Sequence, residues 1–197
     1  MLFKVLVEDG SCVNGGTGSW SLPTKNNDGA WTPGEWMPVI EGELEPCVNG
    51  YHLCREQDLI YWLGPAIFEA EYRGEAIESD TKIVVREARL LRRFENWNER
   101  TARLFACECA ERVLSIFERE YPHDDRPRRA VETTRRYANG EATSEELAAA
   151  SAAARDAAWD AASAAARAAA WDAARAAARA AARDEQTAAL LALVGGA

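Results

Sequence analysis

The sequence predicts an α+β protein: a small β-rich N-terminal domain, then an α-helical C-terminal region ending in a long alanine-rich helix. Three observations carry this. Between residues 148 and 182, 24 of 35 positions are alanine, the residue that loses no side-chain entropy in a helix. Before residue 95, apolar residues fall in short runs rich in Val, Ile, Phe and Trp, punctuated by Gly and Pro, the pattern of strands and turns. From Asn98 onward the apolar spacing changes to that of an amphipathic helix. The expected division is 1–95 (β-rich, one short helix), 98–140 (two helices) and 143–194 (the alanine-rich helix).

In chain order, Phe3–Val7 reads as the first strand. The Gly/Ser stretch from Gly10 to Ser19 is a loop; its glycines lack P-loop spacing, and no Gly-Lys-Ser/Thr follows. Asn26–Gly29 and Thr32–Gly34 are turn signals. Trp36–Ile40, Ala66–Tyr72 and Lys82–Leu90 are strand candidates, and Glu56–Leu63 is a short helix closed by Gly64 and Pro65. Ala106, Ala110, Val113, Leu114, Phe117 and Tyr121 recur at helical spacing, predicting a helix over 99–121 that Pro122 stops. Asp125 is placed to cap the next helix, with Pro127 in its first turn and Asn139-Gly140 at its end. Thr143 and Glu146 then form a capping box, in which hydroxyl and carboxylate each take one free backbone amide.

The alanine segment carries a 12-residue repeat. Arg155, Arg167 and Arg179 correspond, as do Trp159, Trp171 and Arg183, and Asp160, Asp172 and Asp184. Twelve residues leave a rotation of about 120° on a straight helix, so the two tryptophans face different directions. With no Gly or Pro from Glu141 to Val194, one continuous helix of roughly 75 Å is expected. Alanine faces permit close backbone approach but bury little area. The expected consequence is homo-oligomerisation, with Trp159 and Trp171 as anchors. Arg155 and Arg167, each four residues before a Trp, are placed to stack on it.

Charge excludes some functions. The net charge is −9, and residues 1–98 carry 16 acidic and 9 basic groups. An acidic chain without a concentrated basic stripe is a poor partner for duplex nucleic acid. Arginine dominates the basic residues, and the lysines are Lys4, Lys25 and Lys82. Charges interrupt every apolar run, so no membrane span is expected. Five cysteines, an odd number, with no signal peptide at the start, point to a cytoplasmic protein with reduced thiols.

Candidate sites are of three kinds. Trp20, Trp31, Trp36 and Trp62 crowd the β-rich half and can line a pocket that stacks a flat ligand, with Arg55, Arg73 and Arg86 as phosphate contacts; the competing reading is a core rich in Trp, with each Arg taken by an acidic neighbour. Cys47, His52 and Cys54 fall within eight residues, with Cys12 as a possible fourth ligand, but paired C-x₂-C spacing is absent. This metal signal is weak, and neither a metal nor a cofactor is expected. In the helical half, Arg126, Arg128 and Arg129, followed by Arg135 and Arg136, form a basic cluster for an acidic surface or phosphate. Cys107 and Cys109 point about 200° apart on a helix, so they do not share a ligand.

The run Arg103-Leu104-Phe105-Ala106-Cys107-Glu108-Cys109-Ala110-Glu111-Arg112-Val113-Leu114, with Asp124-Asp125-Arg126-Pro127-Arg128 after it, resembles an immunity-protein family found beside bacterial polymorphic toxins. The resemblance spans roughly residues 100–185. It implies binding and neutralising a protein, not catalysis. The N-terminal half, with Cys47, Gly50-Tyr51-His52-Leu53-Cys54 and Asp80-Thr81-Lys82-Ile83-Val84, resembles uncharacterised domains of phage and prophage proteins. Together they imply a non-enzymatic phage protein, acting in the bacterial host's cytoplasm, that blocks a defence component by holding a protein or a nucleotide signal. One alternative is an immunity or antitoxin protein that binds a toxin. The other rests on Gly50-Tyr51-His52, a helix and the strand Ile67–Tyr72, which are similar to ADP-ribosyltransferase-like folds; that resemblance nominates His52 and Glu87 as catalytic.

Overall fold

The computed structural model describes residues 1–16 and 18–194. The chain forms two compact units, Met1–Arg103 and Leu104–Ala197. The first holds β1 (Leu2–Leu6), β2 (Thr24–Lys25), β3 (Trp31–Thr32), β4 (Tyr51–Arg55), β5 (Ala66–Ser79) and β6 (Lys82–Arg93). Strands β1, β4, β6 and β5 close into an antiparallel barrel in that order. A four-stranded barrel has room only for a thin interior, and the buried set mixes Leu6, Leu53, Phe68, Val85 and Leu90 with the small Ala66, Ala70 and Ala88. Closure leaves no long strand edge unpaired, which suits a small β-unit.

The hairpin of β5 and β6 is the largest element, and both strands run beyond the expected 66–72 and 82–90. It bends at a bulge between Arg73 and Ala76, where Gly74 takes φ +81°. Its exposed side carries a charge ladder in register: Glu69 faces Arg92, Glu71 faces Arg89, and Glu87 faces Arg73. Residues 56–61 form a 3₁₀ turn rather than an α-helix, with the buried Asp58 carboxylate held by Arg55 Nε at 2.5 Å.

Trp36–Ile40 is not a strand. Its backbone crosses β6 as a strap, with the amides of Gly34, Met37 and Ile40 donating to the carbonyls of Leu90, Ala88 and Arg86. Donors every third residue do not match the two-residue ladder of a sheet. Pro33 and Pro38 lack the amides a continuous ladder would use. Gly34 is required here, since a Cβ would lie 2.1 Å from the Ser21 carbonyl oxygen.

The helices are α1 (Glu99–Glu120), α2 (Arg126–Ala138) and α3 (Ser144–Val194). On α1 the buried positions are Cys107 and Leu114, with Phe117 and Tyr121 half-buried. Of the expected face, Leu114, Ala110, Phe117 and Tyr121 are covered, whereas Ala106 and Val113 are exposed. Asp125 does not cap α2 with its side chain; the Arg126 amide bonds the Asp124 carboxylate instead. Thr143 and Glu146 make the reciprocal capping box in full, at 3.2 and 2.7 Å. Helix α3 is continuous, and its 51 residues span about 76 Å. Only its first half packs: Leu147, Ala150, Ala154, Ala157 and Ala161 face inward, whereas every position from Ala164 to Arg183 is exposed. Asp184, the last member of the repeat, has its side chain outside the described residues.

Candidate functional site

A cavity of about 500 Å³ opens in the first unit, within the usual range for small-molecule sites. Its walls come from β1, the loop around Cys12–Gly16 with Trp20, the strap at Met37 and Ile40, the loop before β4 together with β4 itself, Trp62, and the start of β6. The first loop is closed at its base by bridges from Leu6 to Cys12 and from Ser11 to Ser19. The second is a tight turn at residues 45–49, with Cys47 in the left-handed region at φ +67°. Among the described residues Cys47 is the one non-glycine with a positive φ, a conformation that costs energy for any residue with a Cβ. Gly50 follows at φ +133°, where a Cβ would meet Val84 at 2.3 Å.

Two lysines and a histidine set the chemistry of this cavity. Lys4, on β1, donates from Nζ to the His52 carbonyl at 3.1 Å and lies 4.8 Å from the Trp20 ring centroid. Lys82, at the start of β6, sits 2.8 Å from Cys47 Sγ and 5.4 Å from the Trp62 ring. Neither lysine meets a carboxylate among the described residues. His52 Nε2 accepts the Cys47 amide at 2.9 Å, which assigns the ring proton to Nδ1. Burial, and then the charges of Lys82 and Lys4, lower the His52 pKa to about 4. Its ring is therefore a neutral donor at neutral pH. Burial also lowers the pKa of the Lys4 ammonium.

The sequence candidates separate into three groups. Trp20 and Trp62 line the cavity, as do Cys12, Cys47, His52 and Cys54. Trp31 and Trp36 do not: Lys25 covers the first, and the second lies between the Arg73 and Arg89 guanidiniums, at 4.3 and 4.7 Å. The proposed phosphate contacts are already paired. Arg55 holds Asp58 and Glu78, Arg73 holds Glu87, and Arg86 holds Glu75 with the carbonyls of Ile40 and Gly42. In the second unit Arg126 holds Asp124 and Asp160, and Arg128 holds Glu118; the Arg129 amide donates to Asp125 as part of α2.

Glu87 and His52 are not brought together as an acid–base pair. Both Glu87 oxygens accept from Arg73 at 2.5 Å, which lowers the carboxyl pKa, and Glu87 does not line the cavity. The weak metal set is not assembled either. His52 Nε2 is occupied, Cys54 Sγ lies 3.5 Å from the Phe3 carbonyl, and no group of three ligands stands together among the described residues. Burial raises the Cys54 thiol pKa to about 11. Sequence reasoning passed over Lys4 and Lys82. Their rarity was the available signal: two of three lysines meet in one cavity.

The second unit offers a surface instead of a cavity. Ala106, Cys109, Val113 and Ile116, at i, i+3, i+7 and i+10 along α1, are all exposed, with Val113 and Ile116 at 56% and 63%. On the opposite side of the helix, Cys107 is buried 3.6 Å from the Val131 carbonyl, and Arg135 pairs with Glu111. Trp159 and Trp171 are 75% and 68% exposed. The expected Arg–Trp stacking is absent on α3 among the described residues; Arg167 Nε donates to the Ser163 carbonyl. No helix among the described residues is long and apolar enough to cross a membrane.

No curated protein and no solved structure matches the chain. A family model does, over residues 92–192. That span, just over half of the chain, takes in α1, α2 and nearly all of α3, and excludes the cavity. On it, the chain belongs to the family described as Imm-5 like putative immunity protein.

Proposed function

We propose that this protein is a non-enzymatic immunity protein, which neutralises a partner toxin by binding it through the helical unit. The observation that carries the reading is the family match, which covers the three helices. Within that span, the unpartnered stripe of Ala106, Cys109, Val113 and Ile116 is the docking surface: a large apolar side chain left in water stabilises a complex when a partner covers it. With a net charge of −9, a basic partner is favoured electrostatically. The exposed end of α3, with Trp159 and Trp171, serves as the seam between copies of the chain.

The test is protection. In cells making a toxin that the wild-type chain neutralises, Val113→Asp and Ile116→Asp together are expected to lower survival about 100-fold and abolish co-purification, with helix content unchanged. Survival equal to wild type would remove the stripe from the interface. Light scattering tests assembly: a 21.6 kDa species at micromolar concentration would end the oligomer reading.

A second reading is favoured by the cavity. A phage-encoded protein can disarm a bacterial defence by holding its nucleotide signal in the host cytoplasm, and a site of this volume with two lysines suits such cargo. Mass spectrometry of small molecules released intact on heating tests it.

A further inference from the structure

We propose that the barrel cavity is an anion site, which binds a phosphate ester between the ammonium groups of Lys4 and Lys82. This deepens the second reading above, and rests on it, by naming the charge class and the residues.

The first argument is the distribution of charge. The chain carries 32 acidic groups against 23 basic ones, yet none of the residues lining this cavity is Asp or Glu. Arginines elsewhere in the barrel unit face carboxylates across the sheet. Lys25, the third lysine, pairs with Glu95. Lys4 and Lys82 have only neutral neighbours, a carbonyl, a thiol and two indole faces. Withdrawing the Lys4 ammonium from water with no counter-ion is unfavourable, and an incoming anion that also meets Lys82 relieves that cost.

The second argument is the ring between them. Lys4 bonds the His52 carbonyl, the His52 ring bonds the Cys47 amide and Lys82 lies on the Cys47 sulfur, so both ammonium groups flank the same His52–Cys47 wall of the cavity. With Nε2 taken by the Cys47 amide, the Nδ1 proton adds a neutral donor. Two cations and one donor fit a dianionic phosphate monoester better than a single carboxylate, which would satisfy one lysine and leave the other.

The third is space. Trp20 is buried with Lys4 on its face and Tyr51 against its edge, so it holds the lysine in place and is not a free stacking surface. Val13 and Val48 are exposed at the rim and contact the body of the ester. A cavity of about 500 Å³ accommodates a mononucleotide.

The experiment is calorimetric titration of the full chain with adenosine monophosphate, inorganic phosphate and succinate, at low and high salt. The phosphate compounds are expected to bind, more weakly as salt rises. Lys4→Met and Lys82→Met, which keep the aliphatic stem, should each weaken binding about tenfold or more. Lys82→Arg should retain most of it. His52 proton shifts in NMR report occupancy independently, and Lys82→Met carries the test if Lys4→Met fails to fold. Four results overturn the proposal: no binding of either phosphate compound, binding unchanged in both Met variants, succinate binding as tightly as the phosphates, or release of an intact neutral cargo. Intact neutral cargo released from the native protein would preserve the sequestering reading while removing this one.

Discussion

The two units are stabilised by different physics. The barrel buries large apolar side chains, with Leu6, Leu53, Leu90, Val84 and Val85 almost wholly enclosed. In the helical unit the buried residues are Cys107, Leu114 and Ala157. Burial at about 25 cal/mol per Å² makes the first core strong and the second thin. The helices are held instead by ion pairs, such as Arg128 with Glu118, and by caps. Surface ion pairs contribute about 1 kcal/mol or less each. The helical unit keeps Val113, Ile116, Trp159 and Trp171 in water while burying little; the barrel unit buries most of its large apolar side chains.

The sharpest break of this comparison is a packing mutation in each core, one that empties space and one that overfills it. Leu90→Ala in the barrel should cost about 2–5 kcal/mol, measured by urea denaturation followed through tryptophan fluorescence. In the helical unit the vulnerable feature is closeness of approach. Ala157→Leu, at the α2–α3 contact, should cost about 1–3 kcal/mol by overpacking, while the equivalent change at the exposed Ala165 should cost almost nothing. Equal effects at Ala157 and Ala165 would show that the first half of α3 is not packed.

Next in size is the cap. Thr143 Oγ1 accepts the Glu146 amide, and the Glu146 carboxylate accepts the Thr143 amide. Thr143→Ala should cost about 1 kcal/mol and reduce helicity at 222 nm on mild heating. Thr143→Asn should recover most of it.

Local signals were legible in the sequence, and long-range ones were not. The strands beginning near Phe3, Ala66 and Lys82, the end of α2 at Gly140 and the capping box follow from neighbours within a few residues, whereas β4, which pairs across the barrel, was not read. The strap at Trp36–Ile40 was misread because its apolar character is that of a strand, while its bonding depends on where β6 lies. The face of α1 was read correctly at Leu114, Phe117 and Tyr121 and misread at Ala106 and Val113, which fit the helical period as well as the buried Cys107 does. Which of two stripes is buried is decided by α2. For the cavity, the sequence gathered Cys47, His52 and Cys54 because they are close along the chain. The cavity's two cations are Lys4 and Lys82, 78 positions apart, which the fold brings to one cavity. Each arginine's carboxylate was likewise set by strand register.

The smallest expected effect isolates the cavity from the rest of the molecule. His52 titrates near 4 when folded and near its ordinary 6.5 when unfolded. The unfolded chain therefore binds this proton more tightly, so stability is complete above about pH 6.5 and falls as pH is lowered towards about 4. The carboxylates held by arginine, Glu87, Glu118 and Asp124, have lowered pKa values and lose their contribution only below the ordinary carboxylate range. Between pH 6.5 and 4.5 the slope belongs to His52. Because the ring is half-buried, its effect is no more than about 1 kcal/mol after solvent screening. His52→Asn should flatten denaturation midpoints across that interval. Bound phosphate supplies the negative charge that the two lysines lack, and should raise the His52 midpoint above its value in the free protein. A midpoint unmoved by saturating adenosine monophosphate would place the anion away from this ring.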